Sequence, residues 1–290
     1  MVPYPPGAFN DALGRLIADQ LPRKLGQPVV VDNRPGASGA LGTAQVARAA
    51  PDGYTISVAN TPILTINPFI LANPGYDPVQ DFAPLAICAR QMAVIVVPAN
   101  SPIRSVGQLV DTARGRPGQL TYGSAGPGSS NHLGAELLSS RVGISMLHVP
   151  YRGGNQHMLD LIAGRLDMMI DILSNVLPSI QGGDLRALAV AGNERDPSLP
   201  DIPTVQELGI DRFEMYVWFG FVAPARVPED ILDRLSGSIL EIIRDPVGAE
   251  QLRQRGAPAW PRNREQFAVV IREDLAKWGM VIRNAGIQAG

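Results

Sequence analysis

The chain has 290 residues, 45% of them hydrophobic and 18% charged, with a formal net charge of -2. The length suits two domains, and the composition excludes a disordered chain. A nucleic-acid groove, which needs clustered Lys and Arg, is excluded by the absence of any basic run. The one cysteine, Cys88, lies in the apolar run PLAICARQMAVIVV and reads as a buried thiol. Cysteine usage leaves the compartment open. No apolar run approaches the roughly 20 residues of a membrane span, and no secretory leader pattern is present.

The chain opens on VPYPPGAFND, an elbow rich in Pro and Gly, followed by an amphipathic helix in DALGRLIADQLPRKLG. QPVVVDN (27–33) is a β-branched run and predicts a buried parallel strand. RPGASG breaks it, ALGTAQVARAA has helical composition, and YTISVAN (54–60) predicts the next strand. This alternation predicts a parallel sheet with right-handed crossovers. A second alternating block follows. MAVIVVPA is a strand, and SVGQLVDTAR a helix with Ser105 as N-cap and Gln108 placed for a capping box. GQLTYGSAG is a strand, SSNHLGAELLSSRVG a helix ended by Gly143, MLHVPY a strand, NQHMLDLIAGR a helix, and LDMMIDIL and LRALAVAG strands. After WFGFVAPARVP come helices in PEDILDRLSGSILEIIRDP, PVGAEQLRQRG and REQFAVVIREDLAKWGMVIRNAG. The apolar strands VIVVPA and WFGFVAPA, each ending in Pro, suit crossings between domains. The expected division is residues 1–98 plus 221–290 against 99–220.

Three loops share one design: PPGAFND, YGSAGPGSSN and PYRGGN each place a Gly-bearing turn before a helix N-terminus. Such a turn aims unpaired N–H groups outward, where the helix dipole favours an anion. The same residues are also ordinary turn punctuation, so a single loop does not decide between the two readings. No phosphate loop or nucleophile elbow is present, and GASGALG (36–42) has the wrong spacing for a dinucleotide fingerprint. The spacing of His132, His148 and His157 is not that of metal ligands, and neither a metal nor a cofactor is expected. With no base visible beside them in sequence, Ser124, Ser129 and Ser130 read as caps or ligand donors rather than nucleophiles. Asp11 reads as a helix N-terminal carboxylate. Asp171, at the end of LDMMID, is either a cleft residue or an Asx-type cap, and Trp218 and Phe219 are either core or an apolar wall.

Taken together, VPYPPGA, GQPVVVDNRPGASG, APDGYT, YDPVQDFAPL, GQLTYGSAGPGSSNHL, HVPYRG, LIAGRLDMMID, LRALAVAG, LPDIPTVQELG, WFGFVAPARVP and AKWGMVIRNAGI resemble the Bug family, in family order and over essentially the whole chain. These are extracytoplasmic solute-binding proteins of tripartite tricarboxylate transporters. The resemblance implies an α/β flytrap of periplasmic-binding-protein type, two α/β domains joined by two crossover strands. It implies a small carboxylate in the interdomain cleft, delivery to the membrane subunits of a secondary transporter, and no catalysis. A small-molecule hydrolase or transferase, and a ligand-sensing module, are the alternatives on such a fold. A monomer is expected, with no nucleic-acid partner.

On the matching positions, the ligand contacts implied are Gly7, Ala8, Phe9, Asn10 and Asp11 of the first loop, with Thr61. Facing them would be Ser124, Ala125, Gly126, Gly128, Ser129 and Ser130, with Tyr151, Arg152, Gly153, Asp171 and Trp218 beside them. Relatives carry Gly-Ser-Thr or Gly-Pro-Thr before the loop Asp, where this chain has Ala8, Phe9 and Asn10. A cleft-facing Phe9 would favour a monocarboxylate with a flat or apolar body. The family strand corresponding to MVPYPP is about twice as long and follows a cleaved leader. The expectation is therefore an upstream start and a periplasmic mature protein.

Overall fold

The computed structural model describes residues 1–151, 156–211 and 213–287. In chain order the helices are α1 (Phe9–Leu25), α2 (Ala40–Ala47), α3 (Asn67–Ile70), α4 (Val106–Gly115), α5 (Ser130–Val142), α6 (Gln156–Ile162), α7 (Leu173–Gln181), α8 (Glu229–Arg244), α9 (Pro246–Gln254) and α10 (Arg264–Asn284). The strands are β1 (Ser57–Asn60), β2 (Phe82–Pro98), β3 (Thr121–Ser124), β4 (Leu147–Pro150), β5 (Met169–Ile172), β6 (Leu185–Val190), β7 (Tyr216–Pro224) and β8 (Ala259–Arg262). The chain divides into two compact units. Unit 1 is Met1–Arg90 with Trp218–Met280, and unit 2 is Gln91–Val217 with Val281–Gly290. The chain leaves unit 1 along β2 and returns along β7.

In unit 1, β7 pairs antiparallel with β1, from Ser57 opposite Val222 to Asn60 opposite Phe219. β8 pairs antiparallel with the first half of β2. β7 and β2 are neighbours, and Gly220 makes their close approach possible: a Cβ there would stand 2.4 Å from the Ala86 carbonyl oxygen. α1 turns Leu13, Leu16, Ile17 and Leu21 inward, a three- and four-residue spacing that forms one apolar stripe. α8 does the same with Leu232, Leu235, Ile239 and Ile243. The two helices pack together, and full burial of each such side chain stabilises the unit by about 1.5–3 kcal/mol. Lys24 and Glu241 pair across their exposed edge at 2.6 Å, which contributes little beside the apolar contact.

In unit 2 the second half of β2 is flanked by antiparallel β5 and β6. Val94, Val96, Met158, Leu161, Met169 and Val176 form one buried cluster there. β3 and β4 pair in parallel, with Tyr122 opposite His148 and Ser124 opposite Pro150. α4 begins at Ser105, whose hydroxyl accepts the Gln108 N–H at 3.2 Å; the Gln108 side chain reaches the Arg104 N–H, one residue earlier than a capping box requires. Gly143, in the left-handed region at φ 64°, ends α5.

Two expectations are corrected. The sheet is not parallel: the registered ladders β1–β7, β2–β5, β2–β6 and β2–β8 are antiparallel, whereas β3–β4, the bridges at Val2–Asn33, Tyr122–Met168 and Val190–Thr204, and the hydrogen bonds of Met1 around Ser57 are parallel. The 17-residue β2 spans two units and gathers its neighbours head to tail, which local strand-helix alternation does not reveal. Nor is 27–33 a buried strand. It holds a single bridge, from Asn33 to Val2, and Val30 is 83% exposed. Its β-branched run has the composition of a strand but too few ladder partners to become one.

Candidate functional site

The loop between β3 and α5 is built by its sequence to hold N–H groups in place. Gly126 and Gly128 take φ of 124° and 74°, positions that favour Gly, and both are buried. Ser129 is the N-cap of α5: its hydroxyl donates to the Gly126 carbonyl at 2.6 Å, and the Ser129 N–H bonds the same oxygen at 3.1 Å. The N–H groups of Ser130 and Asn131 find no acceptor among the described residues, as expected of the first helical turn. The Asn131 side chain donates to the Ile170 carbonyl at 3.0 Å and ties this helix end to β5. Ala125, half-buried, links Ser124 to Gly126 at the strand end.

Two imidazoles stand behind the loop. His132 Nδ1 accepts the Gly128 N–H at 3.1 Å, and His148 Nε2 lies 2.6 Å from the Ser124 hydroxyl. Ser124 Oγ also accepts the Gly126 N–H at 3.1 Å. The two rings stack with centroids 3.8 Å apart, and Tyr122 stacks on His148 at 4.9 Å. Tyr122 in turn donates its hydroxyl to Glu136. Burial holds the His132 pKa down at about 4. Burial, reinforced by its neighbour His132 and opposed by Glu136, holds His148 at about 4 as well. Both rings are therefore neutral at neutral pH, and neutral His132 keeps the lone pair that Gly128 needs.

Sequence reasoning missed His148 as a base beside Ser124. The signal was the parallel register: Tyr122, Ser124 and His148 converge only once β3 and β4 are aligned. Ser124 is wholly buried and already bonded to Gly126, so the pair braces the loop and does not present a nucleophile.

Directly after β4, Tyr151 donates its N–H to the Ser124 carbonyl at 2.9 Å and its hydroxyl to Asp160 at 2.6 Å. Burial first, then the hydrogen bond to Asp160 and the charge of that carboxylate, push its pKa up to about 12. Arg152 and Gly153 lie outside the described residues. Asp171 is buried within β5. Its Oδ1 accepts the Ile172 N–H at 2.6 Å and the Asn175 amide at 3.0 Å, and its Oδ2 lies 3.6 Å from His157 Nε2. His157 is buried too, and its Nδ1 has no hydrogen-bond partner among the described residues.

In unit 1 the first loop is organised around Asp11. Gly7, at φ 91°, turns its N–H onto Asp11 Oδ2 at 3.0 Å. Arg15 Nε donates to the same oxygen at 3.0 Å, and the Asn33 amide to Oδ1 at 2.9 Å. The Arg15 bond, then those from Gly7 and Asn33, hold the Asp11 pKa down at about 2 against the opposing effect of burial. Ala8 is the N-cap of α1 and has no side chain to cap with. Phe9 is the first helical residue, and its ring meets Phe219 edge-on at 4.4 Å. Asn10 accepts from Asn60 at 3.2 Å. Thr61 is buried and accepts the Trp218 N–H at 3.0 Å. Trp218 is wholly buried: its indole N–H donates to Asp274 at 2.8 Å and its ring packs on Phe267.

The two α/β units give a fold of the periplasmic-binding-protein type. Among solved structures, "R. palustris Rpa4515 with adipate" is 34% identical and superposes with a TM-score of 0.79, covering 99% of this chain and 96% of that one. "MatC (Rpa3494) from Rhodopseudomonas palustris with bound malate" is 28% identical with a TM-score of 0.75, covering 97% of each. The chain belongs to the tripartite tricarboxylate transporter family receptors, whose family model matches residues 13–287. It is similar to Protein BugT of Bordetella pertussis, at 31% identity over 99% of this chain and 88% of that protein. It is also similar to a protein encoded in the tcbD-tcbE intergenic region of Pseudomonas sp. (strain P51), at 38% identity over 97% of this chain and 84% of that one. No helix among the described residues is long and apolar enough to cross a membrane.

Proposed function

We propose that this protein is a periplasmic solute-binding protein that captures a small carboxylate and delivers it to the membrane subunits of a tripartite tricarboxylate-type transporter, without chemical conversion. The observation that carries the reading is the β3–α5 loop, where the N–H groups of Ser130 and Asn131 and the Ser130 hydroxyl lie at a helix N-terminus with no acceptor among the described residues. A carboxylate is the complement of such a group of donors, and each charge-assisted bond contributes roughly 1.5–3 kcal/mol. Adipate and malate in the two solved relatives support the same ligand class. Gly126 and Gly128 let the ligand approach the backbone, and the imidazoles keep the loop fixed before it arrives. Preorganisation of this kind lowers the ordering cost of binding.

The test is mass spectrometry of small molecules released by denaturing the purified protein. One small carboxylate per chain, returned unchanged after incubation with refolded protein, is the expected result. A released ligand without a carboxylate, or conversion of the ligand, overturns the reading.

A further inference from the structure

In unit 2, β3 and β5 lie side by side. The parallel Tyr122–Met168 bridge joins them, and the Gly123 N–H donates to the Met168 carbonyl at 3.4 Å. Both strands therefore end at the same edge, where open α/β sheets bind their ligands. The β3–α5 loop leaves from this edge, and Asp171 is the last residue but one of β5. Two contacts tie the loop and the acid together. The Asn131 side chain, in the first turn of α5, donates at 3.0 Å to the carbonyl of Ile170, the residue before Asp171. At the other end of the loop, a Cβ on Gly123 would stand 3.3 Å from the Cβ of His157, whose ring faces Asp171.

Asp171 is only 4% exposed. The fold uses one of its two oxygens: Oδ1 accepts the Ile172 N–H and the Asn175 amide. Oδ2 has no such donor among the described residues. It meets His157 Nε2 at 3.6 Å, which is beyond hydrogen-bond length. Nor is His157 arranged as a counter-ion. An imidazolium donates from both nitrogens, and Nδ1 has no acceptor among the described residues. A buried carboxylate oxygen left without a donor is costly, and a cation of matching geometry removes that cost.

We propose that Asp171 Oδ2 receives an ammonium group of the ligand, so that the captured acid is an amino acid. This rests on the carboxylate reading of the α5 first turn and gives the same site its second pole. The carboxylate takes the donors of Ser130 and Asn131, and the ammonium takes the buried anion beside Ile170. An acid of the same length without the amine leaves Oδ2 unpaired.

The experiment is titration calorimetry of ligand-stripped full chain with acids that differ only in the amine: glutamate against glutarate, aspartate against succinate, and norleucine against hexanoate. The amino member of at least one pair should bind about tenfold or more tightly than its partner, as a charge-assisted bond provides. Asp171→Asn keeps the shape of the side chain and should abolish that difference. Equal or tighter binding of the acids without the amine overturns the proposal and leaves the carboxylate reading standing. Failure of all six acids to bind overturns both. An amino preference that persists in Asp171→Asn overturns the assignment to Asp171. The wild-type pairs decide the ligand class by themselves, whatever the stability of the variant.

Discussion

Replacing His132 with Phe keeps a flat ring against His148 but removes the acceptor for the Gly128 N–H. Gly128 is buried, so its donor is left unsatisfied at a cost of about 1–3 kcal/mol. The variant also removes one of two imidazoles whose pKa is held at about 4. Between that value and the ordinary 6.5, the unfolded chain binds protons that the folded chain does not. The stability tied to the neutral rings is therefore complete above about pH 6.5 and is lost as pH falls through about 4. The shift corresponds to at most about 3 kcal/mol per ring, and solvent screening reduces it to roughly 1–2 kcal/mol. Urea denaturation of both proteins at intervals from pH 7.5 to 4 reads both effects. His132→Phe should be less stable at pH 7.5 and should lose less further stability on acidification than the wild type. Equal stability at pH 7.5, together with equal pH slopes, would refute the reasoning.

Three further outcomes are expected. Ser130→Trp should abolish carboxylate binding in a thermal-shift panel while circular dichroism stays unchanged, because the bulk falls on the first turn of α5. Gly220→Ala should cost about 1–3 kcal/mol in urea denaturation, since its Cβ would meet the backbone oxygen of Ala86 rather than a flexible side chain. Asp11→Asn should flatten the loss of stability between about pH 4 and 2: the native carboxylate has its pKa lowered to about 2, so it stabilises above its unfolded value and stops doing so as pH falls through the folded one.

Local chemistry made much of the fold legible. Ser105 and Ser129 as caps, Gly143 as a stop, and the stripes of α1 and α8 are written within a few turns of chain. What escaped depended on distant partners. α7 follows β5 with Ile172 as its N-cap and no capping side chain, so LDMMIDIL reads as one strand although its last residue begins a helix. β8 is four residues with a proline, and it exists because β2 is there to pair with it. The site divides in the same way. The Gly and Ser residues of the β3–α5 loop were visible, whereas His148 and the hold of Asn33 on Asp11 arise from pairing across strands and loops. Trp218, for which the sequence left core and apolar wall both open, packs against Phe267 and donates to Asp274.

The central claim is that the β3–α5 loop holds a carboxylate. Titration calorimetry of protein stripped of ligand by unfolding and refolding tests it directly, using adipate, malate, glutamate and benzoate on the wild type and on Ser130→Trp. The account predicts saturable one-to-one binding of at least one of these acids by the wild type, and none by the variant. Absence of binding for every carboxylate, or equal affinity in the two proteins, would contradict it.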